Sequence, residues 1–191
     1  MTAWEQYLKA NNSVISESQI SQKLFALISK LVTIANEKSS LVFTAGNGGS
    51  ATTADHFAAD LALTNKRVGH QIPAICLNSH LGLNSALSND LNYDDSLSEH
   101  LKNFKSGGHT LVVFSASGNS QNLINLLNTA SSMGMESWAL LGFDGGKIAK
   151  MPQTHSLVFF DKFKNYGIAE NSHLLASHFI IEQVNLNLGK T

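Results

Sequence analysis

Two groups of histidines and carboxylates are the side chains in this sequence best suited to hold a metal ion. His56 and Asp60 lie four residues apart in a helical pattern, so they would share one helix face. Glu170, His173 and His178 lie in or just before the last predicted helix. Imidazole and carboxylate groups are ligands for zinc and related ions. Spacing alone does not choose between the two histidines as partners of Glu170. His173, three residues away, is the simpler local partner, whereas eight residues of helix separate Glu170 from His178 by roughly 12 Å.

Two turns between an apolar run and a helical pattern are suited to binding an anion. They cover residues 46–50 (GNGGS) and 115–120 (SASGNS). Glycines let the backbone approach an anion, and the amides of a helix N-terminus point at it. Neither turn has the lysine or the glycine spacing of a nucleotide site, so hydroxyls and amides favour a terminal phosphomonoester. Each turn taken alone also fits ordinary helix capping by Ser50 or Ser120.

Short apolar runs alternate with helical patterns along the chain, which predicts a parallel sheet covered by helices on both faces. In such sheets ligands bind outside the carboxyl ends of the strands, where both turns are found. The predicted strands are 40–45, 73–78, 110–115, 137–142 and 155–160. The predicted helices between and after them are 50–64, 80–88, 94–106, 119–134 and 169–188.

The leading segment, residues 1–38, is expected to be helical and to extend a single domain that covers residues 1–191. Apolar spacing predicts one long amphipathic helix over 15–37, with only a short helix before it. The apolar stripe is larger than one domain edge should expose, so we expect it to pack on the domain or on a neighbouring subunit. Its central residues are Leu24, Leu27, Ile28 and Leu31.

Composition favours a folded chain in the cytoplasm. Of 191 residues, 43% are hydrophobic and 14% charged, which argues against disorder. The net charge of −1 and the lack of a basic run argue against nucleic-acid binding. We expect no membrane segment and no signal peptide, because no apolar stretch has the required length or flanks. The single cysteine, Cys76, is expected to be a buried strand residue.

Four segments together resemble the phosphoheptose isomerases, which have the sugar isomerase (SIS) fold. They are 46–61 (GNGGSATTADHFAADL), 88–95 (SNDLNYDD), 115–127 (SASGNSQNLINLL) and 141–149 (LGFDGGKIA). The resemblance covers nearly the whole chain. It implies a three-layer α-β-α sandwich with a five-stranded parallel sheet, and a homotetramer with active sites at subunit interfaces. The implied reaction converts sedoheptulose 7-phosphate to D-glycero-D-manno-heptose 7-phosphate.

The resemblance also assigns substrate-binding residues. The turns around 46–50 and 115–120 and an Asn-Asp pair between them would contact the sugar phosphate. These residues are Asn47, Gly48, Gly49, Ser50, Asn89, Asp90, Ser115, Ser117 and Ser120.

The implied metal ligands are His56, Asp60, Glu170 and His178, with zinc as the implied ion and His173 in a supporting role. Asp60 and His178 would be the acid–base pair. Aspartate is shorter than the glutamate found in the best-known members, so Glu170 is expected to share this role.

The chain departs from the best-known members of the family at several of these positions. They have glutamate in place of Asp60 and glutamine in place of Glu170. They also have aspartate and arginine in place of Gly167 and Ile168, and threonine in place of Ala116. The segment 165–170 (NYGIAE), with the two histidines that follow, resembles a branch linked to capsular and other surface polysaccharides. We interpret the metal site as altered rather than lost.

Three other functions remain open from the sequence. One is a non-catalytic tetramer that binds a protein partner, as the replication-initiator-associating relatives do. Candidates for all four metal ligands argue against it. Another is a sugar-phosphate sensor, although residues 1–38 are too few for a helix-turn-helix module followed by a helix. The third is an isomerase of a different phosphosugar.

Overall fold

The computed structural model describes residues 1–18, 20–37 and 40–189 of the chain. Its centre is a sheet of five parallel strands in the order β2-β1-β3-β4-β5. The strands are β1 (Val42–Ala45), β2 (Ala74–Cys76), β3 (Thr110–Ser115), β4 (Glu136–Leu141) and β5 (Thr154–Val158). Each predicted apolar run contains most or all of one strand, and the predicted fold class is confirmed.

Helices cover both faces of this sheet. They are α1 (Ala3–Glu17), α2 (Ser21–Glu37), α3 (Gly49–Val68), α4 (Leu81–Asp90), α5 (Tyr93–Leu101), α6 (Gln121–Ser132) and α7 (Tyr166–Leu188). The five helices predicted after the first strand correspond to α3–α7. Within the described ranges, no helix combines the length and the apolar character needed to cross a membrane.

The prediction of one long helix over 15–37 is wrong, because the leading segment forms two helices of similar length. The first has 15 residues and the second has 17. Ser18 ends α1 in an extended conformation, with φ −70° and ψ 122°. Serine hydroxyls compete for backbone groups and weaken a helix. Here Ser16 and Ser18 donate to carbonyls of the preceding turn. Gln19 and Lys38 lie outside the described residues.

Alternate residues of each central strand point into opposite apolar layers. In β3, Val112 and Phe114 face the layer formed with α1, α2, α3 and α7. Leu111 and Val113 face the layer formed with α5 and α6, and α4 packs on α5. Because both faces are covered, the strands are apolar without alternation, as expected for a buried parallel sheet.

The apolar stripe of α2 is buried within the chain itself. Leu27 and Leu31 are fully buried and Ile28 is 3% exposed, in a layer shared with α7. The stripe therefore packs on the domain, one of the two alternatives expected, and it gives no evidence for a partner subunit. Cys76 is buried at the end of β2, as expected.

The strand order determines where a ligand can bind. The chain leaves β1 toward β2 on one side and later returns to β3 on the other side of β1. Strands β1 and β3 pair in register from Val42 opposite Thr110 to Ala45 opposite Val113. The helices that follow these strands, α3 and α6, cover opposite faces. Such a switch point opens a crevice at the carboxyl ends of the two strands.

Candidate active site

The first turn, residues 46–50, is held by an asparagine from the neighbouring strand segment. Asn78 accepts a hydrogen bond from Gly46 N at 3.0 Å and donates one to Gly46 O at 3.0 Å. A β-carbon at position 46 would lie 2.5 Å from the backbone of Ser50, so only glycine permits this approach of the helix. Gly48 has φ +53°, which favours glycine. The turn is thus fixed before any ligand binds.

Two of the amides at this turn are already in use. Ser50 N donates to Asn47 O at 3.0 Å, and Ala51 N donates to Gly48 O at 3.0 Å. Ser50 lies inside the first turn of α3 rather than at its N-cap, because the helix begins at Gly49.

The second turn presents hydroxyl groups with free protons. Ser115 Oγ accepts a hydrogen bond from Gly118 N at 3.1 Å, and Ser117 Oγ accepts one from Asn119 N at 3.2 Å. A serine hydroxyl has one proton to donate, so both groups keep that proton for a ligand. Ser120 is the N-cap residue of α6, yet its side chain makes no capping hydrogen bond. Capping therefore does not account for these serines.

The loop after β4 supports the second turn from behind. Lys147 N donates to Asn119 Oδ1 at 3.1 Å, and Ile148 N donates to Gly118 O at 3.0 Å. Any β-carbon at position 118 would overlap the carbonyl oxygen of Gly145. The segment 141–149 thus shapes the serine turn without lining the cavity itself.

The two turns enclose one cavity of about 310 Å³ at the carboxyl ends of β1 and β3. Among its described lining residues there is no lysine, arginine or histidine, and Glu170 is the one charged side chain. Hydroxyl and amide donors of this kind suit a phosphate group at the end of a ligand. The lining residues are Asn47, Gly48, Gly49, Ser50, Phe114, Ser115, Ala116, Ser117, Ser120, Tyr166 and Glu170.

A second cavity, of about 610 Å³, lies farther along α3 and α7 and contains a cluster of three possible metal ligands. His56, Asp60 and His178 each offer one ligand atom, and these atoms lie within 4.8 Å of one another. His56 Nε2 is 3.3 Å from Asp60 Oδ2, and the two histidine rings are 5.1 Å apart. Arg67 Nη2 lies 3.2 Å from the other carboxylate oxygen, Asp60 Oδ1.

The cluster fits a divalent metal ion in chemistry and exposure. Two imidazoles and one carboxylate make the three-ligand set that catalytic zinc sites use, with a further position left for water or substrate. Both histidines are exposed to the cavity, while the Asp60 side chain is 15% exposed. Asp60 Oδ2 is the carboxylate oxygen available to an ion, since Arg67 holds Oδ1.

The fourth predicted ligand, Glu170, lies in the first cavity and is not in this cluster. Its carboxylate packs against Gly49, and a β-carbon there would lie 2.5 Å from Glu170 Oε1. Glu170 and His178 belong to the same helix, eight residues apart, so about 12 Å of helix axis separates them. The structure therefore divides the predicted quartet between the two cavities.

His173 is a buried structural residue. It is fully buried between the rings of Phe114 and Phe159, whose centroids lie 6.2 Å and 5.5 Å from its own. Burial lowers the pKa of His173 to about 4, against a weaker opposing effect of the Leu141 carbonyl. Of the two histidines left open by spacing, His178 is the one in the cluster.

The chain matches the SIS domain family over residues 6–142. The phosphoheptose isomerase of Sulfurimonas denitrificans is 34% identical over 155 residues, which cover 81% of this chain and 78% of that protein. The phosphoheptose isomerase of Aliarcobacter butzleri is 28% identical over 184 residues, 96% of each chain. The structure of the phosphoheptose isomerase from Neisseria gonorrhoeae superposes with a TM-score of 0.84, at 24% identity, over 96% of this chain and 95% of that one.

The chain belongs to the SIS domain family. The family match ends before α7, so Glu170 and His178 lie outside it, whereas the two turns and the His56–Asp60 pair lie inside. In this SIS domain the α7 residues nevertheless lie beside those inside the family match, because α3 and α7 pack side by side.

Two predicted substrate residues of this SIS domain lie apart from both cavities. Asn89 and Asp90 end helix α4, are exposed, and bond to each other through Asn89 Nδ2 and Asp90 Oδ1 at 3.0 Å. Neither lines the cavities described above. Tyr93, three residues after Asp90, reaches the first turn instead and donates to Asn47 Oδ1 at 2.7 Å.

Sequence reasoning did not single out Arg67 and Tyr166, which line the cavities of the SIS domain. It also did not single out Tyr93 and Asn122, which bond to Asn47 behind the first cavity. Asn122 lies in segment 115–127 and Tyr93 in segment 88–95, both of which carry the family resemblance. Their polar side chains within these segments could have marked them as candidate site residues. Arg67 is seven residues after Asp60, which is two helical turns and places both on one face.

Proposed function

We propose that this protein is an aldose–ketose isomerase that converts sedoheptulose 7-phosphate to D-glycero-D-manno-heptose 7-phosphate. The observation that carries the proposal is that a hydroxyl-lined cavity and a histidine–carboxylate cluster lie along the same pair of helices. The first suits the phosphate and the second suits the reacting end of the sugar. The named function of the curated relatives supports the same reaction.

The separation of the two sites favours a long phosphosugar. His56 follows Gly49 by seven residues on α3, which places the cluster roughly 10 Å from the first turn along the helix axis. An extended chain advances about 1.2 Å per bond, so C2 of a heptulose lies about 8 Å from the phosphorus of its 7-phosphate. The same distance in a triose phosphate is about 4 Å, too short to join the two sites.

The reaction needs a group that removes a proton from C1 and a group that delivers one to C2. Asp60 and His178 are the acid–base pair in this proposal, because a carboxylate and an imidazole face the same cavity. Removal of the C1 proton, with delivery of a proton to O2, gives an enediol. Protonation at C2, with loss of the O1 proton, then gives the aldose. Asp60 is fixed for this role by Arg67.

Glu170 has a third role in the proposal. It lines the phosphate cavity, with its carboxylate beside Gly49, on the helix that also carries His178. From there it can accept hydrogen bonds from hydroxyls in the middle of the sugar chain. We therefore keep it as a site residue that shares the acid–base work or completes the ligand set when the substrate binds.

A divalent ion, most simply zinc, is part of the proposal. His56, Asp60 and His178 would hold it, with Glu170 as the family-based fourth ligand. Such an ion polarises carbonyl and hydroxyl oxygens when bound. Asn89 and Asp90 are retained as substrate residues that approach from another subunit, since they are exposed on their own chain.

The same proposal includes a cytoplasmic homotetramer that supplies heptose for surface polysaccharide. Several large apolar side chains remain exposed on the isolated chain, among them Leu81 at 79% and Leu175 at 51%, and these suit subunit contacts. The structure of a phosphosugar isomerase described as involved in capsule formation in Bacteroides fragilis has the same fold, with a TM-score of 0.68. In this proposal residues 1–191 form one SIS domain, with residues 1–38 as its helical extension.

One experiment separates this function from its alternatives. The purified protein is incubated with sedoheptulose 7-phosphate, fructose 6-phosphate and ribulose 5-phosphate, and aldose formation is followed by NMR. We expect turnover of the heptulose above all, and none with Asp60→Asn. Turnover of the hexulose alone would identify a different phosphosugar isomerase. Binding without turnover of any sugar would favour a sensor or a non-catalytic tetramer.

A further inference from the structure

Two polar side chains from different helices bond to the side chain of Asn47 in the first turn. Asn47 Nδ2 donates to Asn122 Oδ1 at 2.9 Å, and Asn122 Nδ2 donates back to Asn47 Oδ1 at 2.8 Å. Tyr93 donates its hydroxyl proton to the same Asn47 Oδ1 at 2.7 Å. Asn122 belongs to α6 and is 1% exposed, while Tyr93 begins α5. Helices from the far side of the sheet thus hold a residue of the substrate cavity.

A backbone amide fixes the direction of every hydrogen bond in this group. Leu123 N can only donate, and it lies 3.0 Å from Asn122 Oδ1, so that atom is the oxygen of Asn122. The nitrogen of Asn122 then faces Asn47, and the Asn47 atom that it contacts must be the oxygen. Tyr93, bonded to that oxygen, must act as the donor.

The consequence is that Asn47 can only donate to a ligand. An amide oxygen accepts about two hydrogen bonds, and Tyr93 and Asn122 occupy both positions. The amide nitrogen has two protons, and Asn122 uses one of them. The remaining proton belongs to a side chain that lines the cavity with the serine hydroxyls.

Tyr93 is itself held in place by neighbouring residues. Asn92 caps α5 by accepting from Asp95 N at 2.8 Å, which sets the start of the helix directly before Tyr93. Asp95 Oδ1 accepts from Asn125 Nδ2 of α6 at 2.8 Å. The beginning of α5 is therefore attached to α6, the helix that also supplies Asn122.

We propose that Tyr93 and Asn122 are positioning residues that fix Asn47 as a hydrogen-bond donor toward an oxygen atom of the phosphosugar. The inference rests on the proposed function for the choice of ligand. Its geometric content is that two donors saturate Asn47 Oδ1 and leave one amide proton for the cavity. Tyr93 acts through Asn47 and does not need to touch the ligand.

A double-mutant cycle on the full-length protein tests this coupling. Calorimetry measures sedoheptulose 7-phosphate binding to wild type, Tyr93→Phe, Asn47→Ala and the double variant. We expect Tyr93→Phe to weaken binding about 3- to 10-fold, the effect of one hydrogen bond, and to raise KM far more than it lowers kcat. In the Asn47→Ala background the same change should have no effect, because Tyr93 then has no residue to position.

Further variants control for stability and test the donor role. Tyr7→Phe removes a tyrosine hydroxyl that bonds to Asn171 outside the cavity, and it should leave affinity unchanged. Asn47→Asp keeps the acceptor oxygen but removes the donor, so it should bind at least as weakly as Asn47→Ala. Tyr93 is 57% exposed, so thermal unfolding of Tyr93→Phe should match wild type.

Any of three results would overturn the inference. The first is an unchanged affinity in Tyr93→Phe, and the second is that Tyr93→Phe causes the same loss in the Asn47→Ala background. The third is wild-type affinity in Asn47→Asp. A wild-type protein that binds the sugar phosphate without isomerising it would overturn the proposed function alone, because the cycle is read from binding.

Discussion

His56 lies one helical turn before Asp60 on α3, and its Nε2 atom is 3.3 Å from Asp60 Oδ2. The second oxygen of this carboxylate is 3.2 Å from Arg67 Nη2, so His56 and Arg67 lie on either side of Asp60 on one face of α3. His178 of α7 completes the cluster. A divalent ion bound there would lie close to a permanent positive charge, which should weaken its binding.

Removing that charge should strengthen metal binding. At roughly 6 Å in water-like surroundings two unit charges interact by about 0.7 kcal/mol, and a divalent ion doubles this value. We expect Arg67→Gln to bind zinc about 3- to 10-fold more tightly in a chelator competition assay. Lys66→Gln removes the same charge from the neighbouring exposed residue and should change the affinity less. Equal affinities of Arg67→Gln and wild type would mean that Arg67 does not act on the ion.

The serine turn should provide the phosphate affinity. Ser117→Ala combined with Ser120→Ala removes two hydroxyls from the cavity, neither of which is used as a helix cap. We expect substrate binding to weaken by about 1–3 kcal/mol, the scale of a hydrogen bond to a charged group. Ser131→Ala with Ser132→Ala, on the exposed end of α6, is the matched control. Calorimetry that finds equal affinities for the two double variants would place the phosphate elsewhere.

The order of strands and helices along the chain could be predicted because short, largely apolar runs alternate with helical patterns. The two turns could also be expected to meet, since parallel strands share one carboxyl edge. The break at Ser18 could not, because the apolar spacing of α2 continues into the end of α1 and only the serine hydroxyls mark the interruption.

The metal cluster was predictable only in part. His56 and Asp60 share a helix face by spacing alone, but the choice of His178 over His173 depends on which face of α7 packs inward. That face buries His173 against Phe114 and Phe159. The position of Glu170 beside Gly49 depends on how α3 and α7 align, which no local pattern contains.

His173 should make the fold sensitive to acid. Its pKa is lowered from 6.5 to about 4 by burial, so the unfolded chain binds a proton more readily than the folded one. Stability therefore falls as pH drops through the range between these two values and is complete above it. As the pH falls from about 7 to about 5, protonation of His173 in the unfolded chain should lower the free energy of unfolding by about 2 kcal/mol.

Urea unfolding at several pH values measures this effect. His173→Leu removes the ionisable group while keeping an apolar side chain, so its stability should fall less over the same pH range. The free energy of unfolding is plotted against pH for each protein. The difference between the two slopes gives the contribution of His173, because the carboxylates titrate in both proteins. Parallel slopes for wild type and the variant would show that His173 is protonated in the folded protein or is not the group responsible.

Gly118 should be far more sensitive to substitution than another glycine with similar backbone angles. Gly118 has φ +62° and Gly134 has φ +72°, so alanine at either site meets the left-handed penalty of about 1–2 kcal/mol. At position 134 a β-carbon meets nothing within 4 Å, whereas at position 118 it overlaps the carbonyl of Gly145. Gly118→Ala must therefore also separate the serine turn from the loop that supports it.

We expect Gly134→Ala to lower the free energy of unfolding by about 1 kcal/mol and Gly118→Ala by at least about 3 kcal/mol. Because Ser115 Oγ accepts from Gly118 N, the second variant should also lose phosphosugar affinity at temperatures where it remains folded. Urea unfolding gives the first comparison and calorimetry the second. If both alanine variants lost the same stability, the contact between Gly118 and Gly145 would contribute nothing, and the loop after β4 would have no part in shaping the cavity.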